Sequence, residues 1–100
     1  MSVHYKGYSA SATSETIASR LYGCIISGDN NPGTAVANSI TVNGVDKLLV
    51  DCPGYIDSGV AGAPMVIWFN LANPSAGIPC SNFDVTLAAN NSLTLLFEPA

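Results

Sequence analysis

One hundred residues, 48% of them apolar and only 10% charged, specify a single domain with its own core and exclude a disordered chain. Seven acids against Lys6, Arg20 and Lys47 give a net charge of −4. Three scattered cations cannot track a phosphate backbone or an anionic bilayer, so neither nucleic acid nor membrane is an expected partner. The polar surface falls instead to 11 Ser, 6 Thr and 9 Asn. Neutral hydroxyls and amides lose less on burial than ions do, which suits a protein whose outside becomes an interface.

Met1 to Ala10 holds His4, Tyr5, Lys6 and Gly7 and no apolar run of the kind an export signal needs, so the chain reads as made in the cytoplasm. Residues 1–9 are expected as an N-terminal arm or edge strand, and 10–100 as one β-sandwich domain. Ala10, Ala12, Ser14 and Thr16 alternate as a strand would. A helix over Thr13 to Leu21 lacks the acid that a capping box places three residues after its cap, which leaves a single helical turn as the alternative to the strand. Arg20 to Gly28 sets Tyr22, Cys24 and Ile26 against Leu21, Gly23 and Ile25, apolar on both faces, and predicts a central strand. Asp29-Asn-Asn-Pro-Gly is a turn. Ser39 to Val42 and Lys47 to Asp51 are predicted strands around Asn43-Gly44, the commonest two-residue hairpin turn.

Cys52 to Pro64 reads as loop with a short edge strand around Tyr55 to Asp57. Beyond Pro64, MVIWFNL places Met65, Ile67, Phe69 and Leu71 opposite Val66 and Trp68, and Trp68 is expected in the core. A last hairpin sets Phe83, Val85 and Leu87 against Asp84 and Thr86, turns at Asn90-Asn91, and returns with Leu93, Leu95 and Phe97 on one face. Seven or eight short strands at this spacing predict an all-β, compact antiparallel sandwich, with a jelly roll left open as its topology.

Residues that could carry chemistry are few. His4, the sole histidine, lies in a terminal segment that cannot hold a catalytic geometry. Asp46, Asp51 and Asp57 stand at or beside turns, where Asp caps backbone. Asp29, Asn30 and Asn31 offer oxygen ligands without the D-x-D-x-D-G spacing of a calcium loop. Gly59-Val-Ala-Gly62 lacks the Lys-Ser and helix of a phosphate loop. Cys24, Cys52 and Cys80 lack paired zinc-ligand spacing and read as three mostly buried thiols, with one disulfide as the alternative. Asn90-Asn91-Ser92 matches a glycosylation sequon but reads as a hairpin turn. No catalytic residue, cofactor or metal is therefore expected. The segment with Val3, His4, Tyr5 and Tyr8 is the candidate subunit interface, because tyrosines are favoured interface anchors and the arm has little apolar content of its own to bury.

Several segments carry a family likeness: Ser9-Ala-Ser-Ala-Thr-Ser, Arg20-Leu-Tyr-Gly-Cys-Ile-Ile-Ser-Gly, Ile40-Thr-Val-Asn-Gly, Gly77-Ile-Pro-Cys-Ser-Asn-Phe-Asp-Val-Thr-Leu and Ser92-Leu-Thr-Leu-Leu-Phe-Glu. In this order they resemble the small all-β structural proteins of tailed bacteriophages. The likeness is one of pattern along most of the chain, strongest at Arg20-Leu21 and Phe97-Glu98. It implies a non-enzymatic decoration or cement protein in the virion, bound to the major capsid protein lattice and self-associated as a homotrimer. A tail, neck or head-fibre part and a carbohydrate-binding receptor module are the alternatives. The second of these needs Trp68, Tyr55 or Tyr22 exposed beside Asp or Asn.

Overall fold

The computed structural model describes residues 3–28, 38–55 and 65–100. Among them are nine strands: β1 (His4–Tyr8), β2 (Ala12–Glu15), β3 (Ala18–Ser27), β4 (Ser39–Val42), β5 (Val45–Leu48), β6 (Met65–Trp68), β7 (Ile78–Pro79), β8 (Phe83–Thr86) and β9 (Ser92–Pro99). Two 3-10 turns, Leu49–Asp51 and Pro74–Ala76, complete the described elements.

Every pairing is antiparallel. The first sheet (sheet A) runs β1-β9-β3-β6, with β7 continuing beside β3, and the second (sheet B) runs β2-β8-β4-β5. The order has a simple origin. Asn43 and Gly44, at φ 51 and 82, close a type I′ turn between β4 and β5. From that tip the two limbs of the chain pair outward as β3 with β6, β2 with β8 and β1 with β9. Along each limb, β7 aside, successive strands alternate between the sheets, and the wrapped limbs add the pairs β3–β9 and β4–β8. A long hairpin folded over itself in this way is a jelly roll.

Strand alternation fills the space between the sheets. Leu21, Cys24 and Ile26 of β3 are registered with Phe97, Leu95 and Leu93 of β9, and Cys24 and Ile26 with Ile67 and Met65 of β6. These residues meet Phe83 and Val85 of β8 and Ile40 and Val42 of β4 in one buried cluster. Each such side chain contributes about 1.5–3 kcal/mol by leaving water. The register of β3 and β9 slips between Leu21 and Gly23, so Leu21 and Cys24 both point inward although three positions apart.

Two strands end earlier than alternation predicts. Asn70 stops β6: its side-chain oxygen accepts from the backbone N–H groups of Ala72 and Asn73 at 3.1 and 2.9 Å, and its amide donates to the Gly77 carbonyl at 2.8 Å. Leu71 is thereby thrown outward, 79% exposed, and does not join the inner face. The return strand of the first hairpin is Val45–Leu48 and not 47–51, because Leu49 donates its N–H to the Asn38 carbonyl and opens a 3-10 turn that buries its side chain. The edge strand expected at Tyr55 to Asp57 falls partly outside the described residues, and Tyr55 itself is not in a strand.

Candidate interaction surface

A sandwich buries one face of each sheet, and the two outer faces here differ in chemistry. On the outside of sheet B, Thr41 stands between Asp46 and Asp84, and Ser39 between Leu48 and Thr86. Thr41 Oγ1 donates to Asp46 Oδ1 at 2.6 Å, and the Ser14 N–H donates to Asp84 Oδ1 at the same distance. That surface is mostly polar and satisfies much of its own polarity.

Sheet A presents the reverse. Its outward register holds two four-strand rows, Tyr5–Leu96–Gly23–Trp68 and Gly7–Thr94–Ile25–Val66, beyond which Ser27 and Ser92 share a hydroxyl hydrogen bond of 2.8 Å at one end of the face. Neither row holds a charged residue, and Thr94 supplies the one side-chain hydroxyl besides the Tyr5 phenol. Tyr5 is 65% exposed and Val66 41%, with Ile25, Leu96 and Trp68 partly shielded by their neighbours. Trp68 is thus not a core residue: it lies on the outer face, and the inner positions of β6 belong to Met65 and Ile67. Its indole packs over Gly23, where an added Cβ would sit 3.0 Å from Cε3 and collide with the Ile67 carbonyl. A side chain at Gly23 would lift the indole off the sheet, so glycine keeps this platform flat.

Arg20 and Glu98, opposite each other in the register, close one end of this face. Both are turned to the chain itself. Arg20 Nη1 donates to the Ala76 carbonyl at 3.0 Å, and Glu98 accepts from the Tyr22 hydroxyl at 3.1 Å. Loss of hydration raises the Tyr22 phenol above its ordinary value of 10.0, and the neighbouring Glu98 adds to the rise.

The four residues of the expected interface separate. β1 pairs with β9 along its length as an edge strand of sheet A. Val3 and Tyr5 are exposed. His4 packs its ring against Phe97 at 5.9 Å between centroids, on the opposite side of the strand from Tyr5. Tyr8 is buried, edge-on to Phe83 at 6.4 Å, so it is a core residue and not a surface anchor. Its hydroxyl donates to Glu15 Oε1 at 3.2 Å, and Lys6 Nζ reaches the same oxygen at 3.3 Å. Burial, reinforced by the Glu15 charge, pushes the Tyr8 phenol well above 10.0. This cluster clips β1 of one sheet to β2 of the other.

The remaining candidates are dispersed. Asp46 is engaged by Thr41, and Asp51 lies in the 3-10 turn. Asp57, the Asp29–Asn31 group and Gly59–Gly62 lie outside the described residues. Asn90, at φ 66, turns the last hairpin. Cys24 and Cys80 are buried free thiols and Cys52 is half-buried, each raised above 9.0 chiefly by burial. Among the described residues no three His, Cys, Asp or Glu side chains gather as a metal site, and no helix is long and apolar enough to cross a membrane. A cleft of about 460 Å³ opens where β5 and the residues after β6 approach, lined by Asp46, Leu48, Asp51, Pro53, Phe69 and Leu71 among others.

No family model matches this chain, and neither a curated protein nor a solved structure matches it.

The sidedness of sheet A was missed by sequence reasoning, although its signal was present. Arg20 to Gly28 is apolar on both faces, and so is Met65 to Phe69. In a two-layer sandwich such strands have one apolar face left over.

Proposed function

We propose that this protein is a non-enzymatic structural component of a virion, a decoration or cement protein that binds and stabilises a capsid lattice, working as a homotrimer. The observation that carries the reading is the pair of uncharged, largely apolar rows at the centre of the outer face of sheet A, set against the mostly polar outer face of sheet B. A face of this kind is inexpensive to desolvate and has no pattern of donors for a specific small ligand.

Its size argues for a repetitive partner. Four strands about 4.8 Å apart and two rows about 6.8 Å apart cover roughly 300 Å². A stable one-to-one interface needs about 800 Å² on each side. A patch this small binds weakly alone and gains strength when several linked copies meet an array of sites. The jelly-roll topology supports the reading only by analogy, since capsid and lectin domains share it and fold does not fix function.

Sedimentation with empty capsids of the virus whose genome encodes the protein tests this. Saturable binding and an increase in capsid melting temperature are expected. Absence of binding to capsids, together with binding to tails or fibres, would move the protein to those parts of the particle.

A carbohydrate-binding module is the second reading, favoured by the placement of Trp68 on the outer face. A flat indole stacks on sugar rings, but the two rows around it offer few hydrogen-bonding groups for hydroxyl recognition. A glycan array with hits abolished by Trp68→Ala would establish it over the lattice reading.

A further inference from the structure

We propose that Asn43 is a latent site of spontaneous modification: its amide is shielded by the fold from attack by the Gly44 nitrogen, and is lost irreversibly once the hairpin tip opens. This is independent of the lattice reading above.

The chemistry needs no partner but water. The backbone nitrogen of Gly44 bonds to the side-chain carbonyl carbon of Asn43, and its proton goes to the amide nitrogen, which leaves as ammonia. A five-membered succinimide results. Water opens that ring at either carbonyl, leaving aspartate or, with the main chain rerouted through Cβ, isoaspartate. A glycine hinders the attack least, and Asn43-Gly44 is the only Asn-Gly pair in the sequence. Both residues are exposed, and no atom lies within 4 Å of where a Cβ on Gly44 would stand.

Two features hold the reaction off. Ring closure requires the Gly44 nitrogen to eclipse Asn43 Cβ. The first central residue of a type I′ turn has ψ of about +30°, which puts that nitrogen nearly opposite Cβ. The amide is also clamped. Asn43 Oδ1 accepts from the N–H groups of Ser81 and Asn82 at 2.8 and 3.2 Å, and Nδ2 donates to the Pro79 carbonyl at 3.4 Å. The Asn43 N–H donates to the Asn82 carbonyl at 3.0 Å. Attack therefore waits until the tip lifts away from residues 79–82. A converted chain does not return. Both products lack the Nδ2 donor, and isoaspartate lengthens the main chain inside a turn built for two residues, against the register of Val42 with Val45 and Thr41 with Asp46.

Native protein and protein unfolded in guanidinium chloride are incubated side by side at mildly alkaline pH, and peptide mapping by mass spectrometry follows conversion of Asn43. The clamp is expected to slow conversion in the native protein by about tenfold or more. Equal rates would overturn the shielding. Faster native conversion would also overturn it, and would mean that the Ser81 and Asn82 N–H groups act as an oxyanion hole. Below the unfolding transition the native rate is expected to rise only weakly with denaturant, because lifting the tip exposes little surface. A rise as steep as that of global unfolding would overturn the tip as the gate. Chains converted while unfolded and then refolded are expected to melt below unconverted chains, and an unchanged Tm would overturn the irreversible loss of the turn.

Discussion

Leu95 and Leu96 are chemically identical neighbours on β9 and face opposite sides of sheet A, which makes them a direct probe of its two faces. Leu95 is fully buried between the sheets, registered with Cys24. Leu96 is half-buried on the outer face, between Tyr5 and Gly23. Truncating Leu95 to Ala forfeits its full transfer free energy and leaves a cavity that the two sheets can only partly close, a cost of about 3 kcal/mol. Leu96→Ala removes side-chain atoms that are already partly in water and opens no cavity, so its cost is about 1 kcal/mol. At about 4–8 °C per kcal/mol for a domain of this size, Leu95→Ala is expected to lower Tm by roughly 12–24 °C and Leu96→Ala by roughly 4–8 °C. Urea titration followed by circular dichroism measures both, with the midpoint shifted and the slope unchanged. Equal losses, or the larger loss at Leu96, would mean that the outer face is a second core and would refute the assignment of sides.

Gly23→Ala drives its Cβ into the Ile67 carbonyl and against Trp68, and is expected to cost about 2–3 kcal/mol and to change the tryptophan emission; a neutral variant would contradict the close approach of β3 and β6. Stability is expected to fall as pH rises above 9, because thiols with an unfolded value of 9.0 and tyrosines with one of 10.0 release protons only on unfolding while their folded values are raised. Tyr8→Phe should flatten the part of that decline above pH 10, and an unchanged pH profile would argue against the buried Tyr8–Glu15 contact. Under native conditions a thiol reagent is expected to modify half-buried Cys52 first, with Cys24 and Cys80 following only as the protein unfolds. Simultaneous modification of all three would contradict the packing of β3.

The sequence was most legible where one rule sufficed. Period-2 alternation at Phe83–Val85, Leu93–Leu95–Phe97 and Ile40–Val42 names inward residues that do lie in the core, and Asn43-Gly44 announces its hairpin because few other residues accept positive φ twice in succession. Alternation failed where a local polar contact outweighed it. The side chain of Asn70 ended β6 before Leu71, and the carbonyl of buried Asn38 turned the chain at Leu49. Trp68 was misplaced for a different reason. An apolar neighbourhood in sequence says that a strand is central, but which of its two faces meets the other sheet depends on pairing partners far along the chain. The candidate interface residues Val3, His4, Tyr5 and Tyr8 were read as one segment without regard to side, and the strand sends Tyr5 and Tyr8 to opposite faces.

The proposed role of the outer face of sheet A in lattice binding stands or falls with capsid sedimentation of two charge-insertion variants, one on each outer face. Val66→Glu places a carboxylate among the apolar rows of sheet A, and Thr86→Glu places one on the already polar outside of sheet B. Both sites are exposed, so both variants are expected to fold. Loss of capsid binding by Val66→Glu with binding retained by Thr86→Glu is the predicted result. Retained binding by Val66→Glu, or its loss in Thr86→Glu alone, would contradict the account.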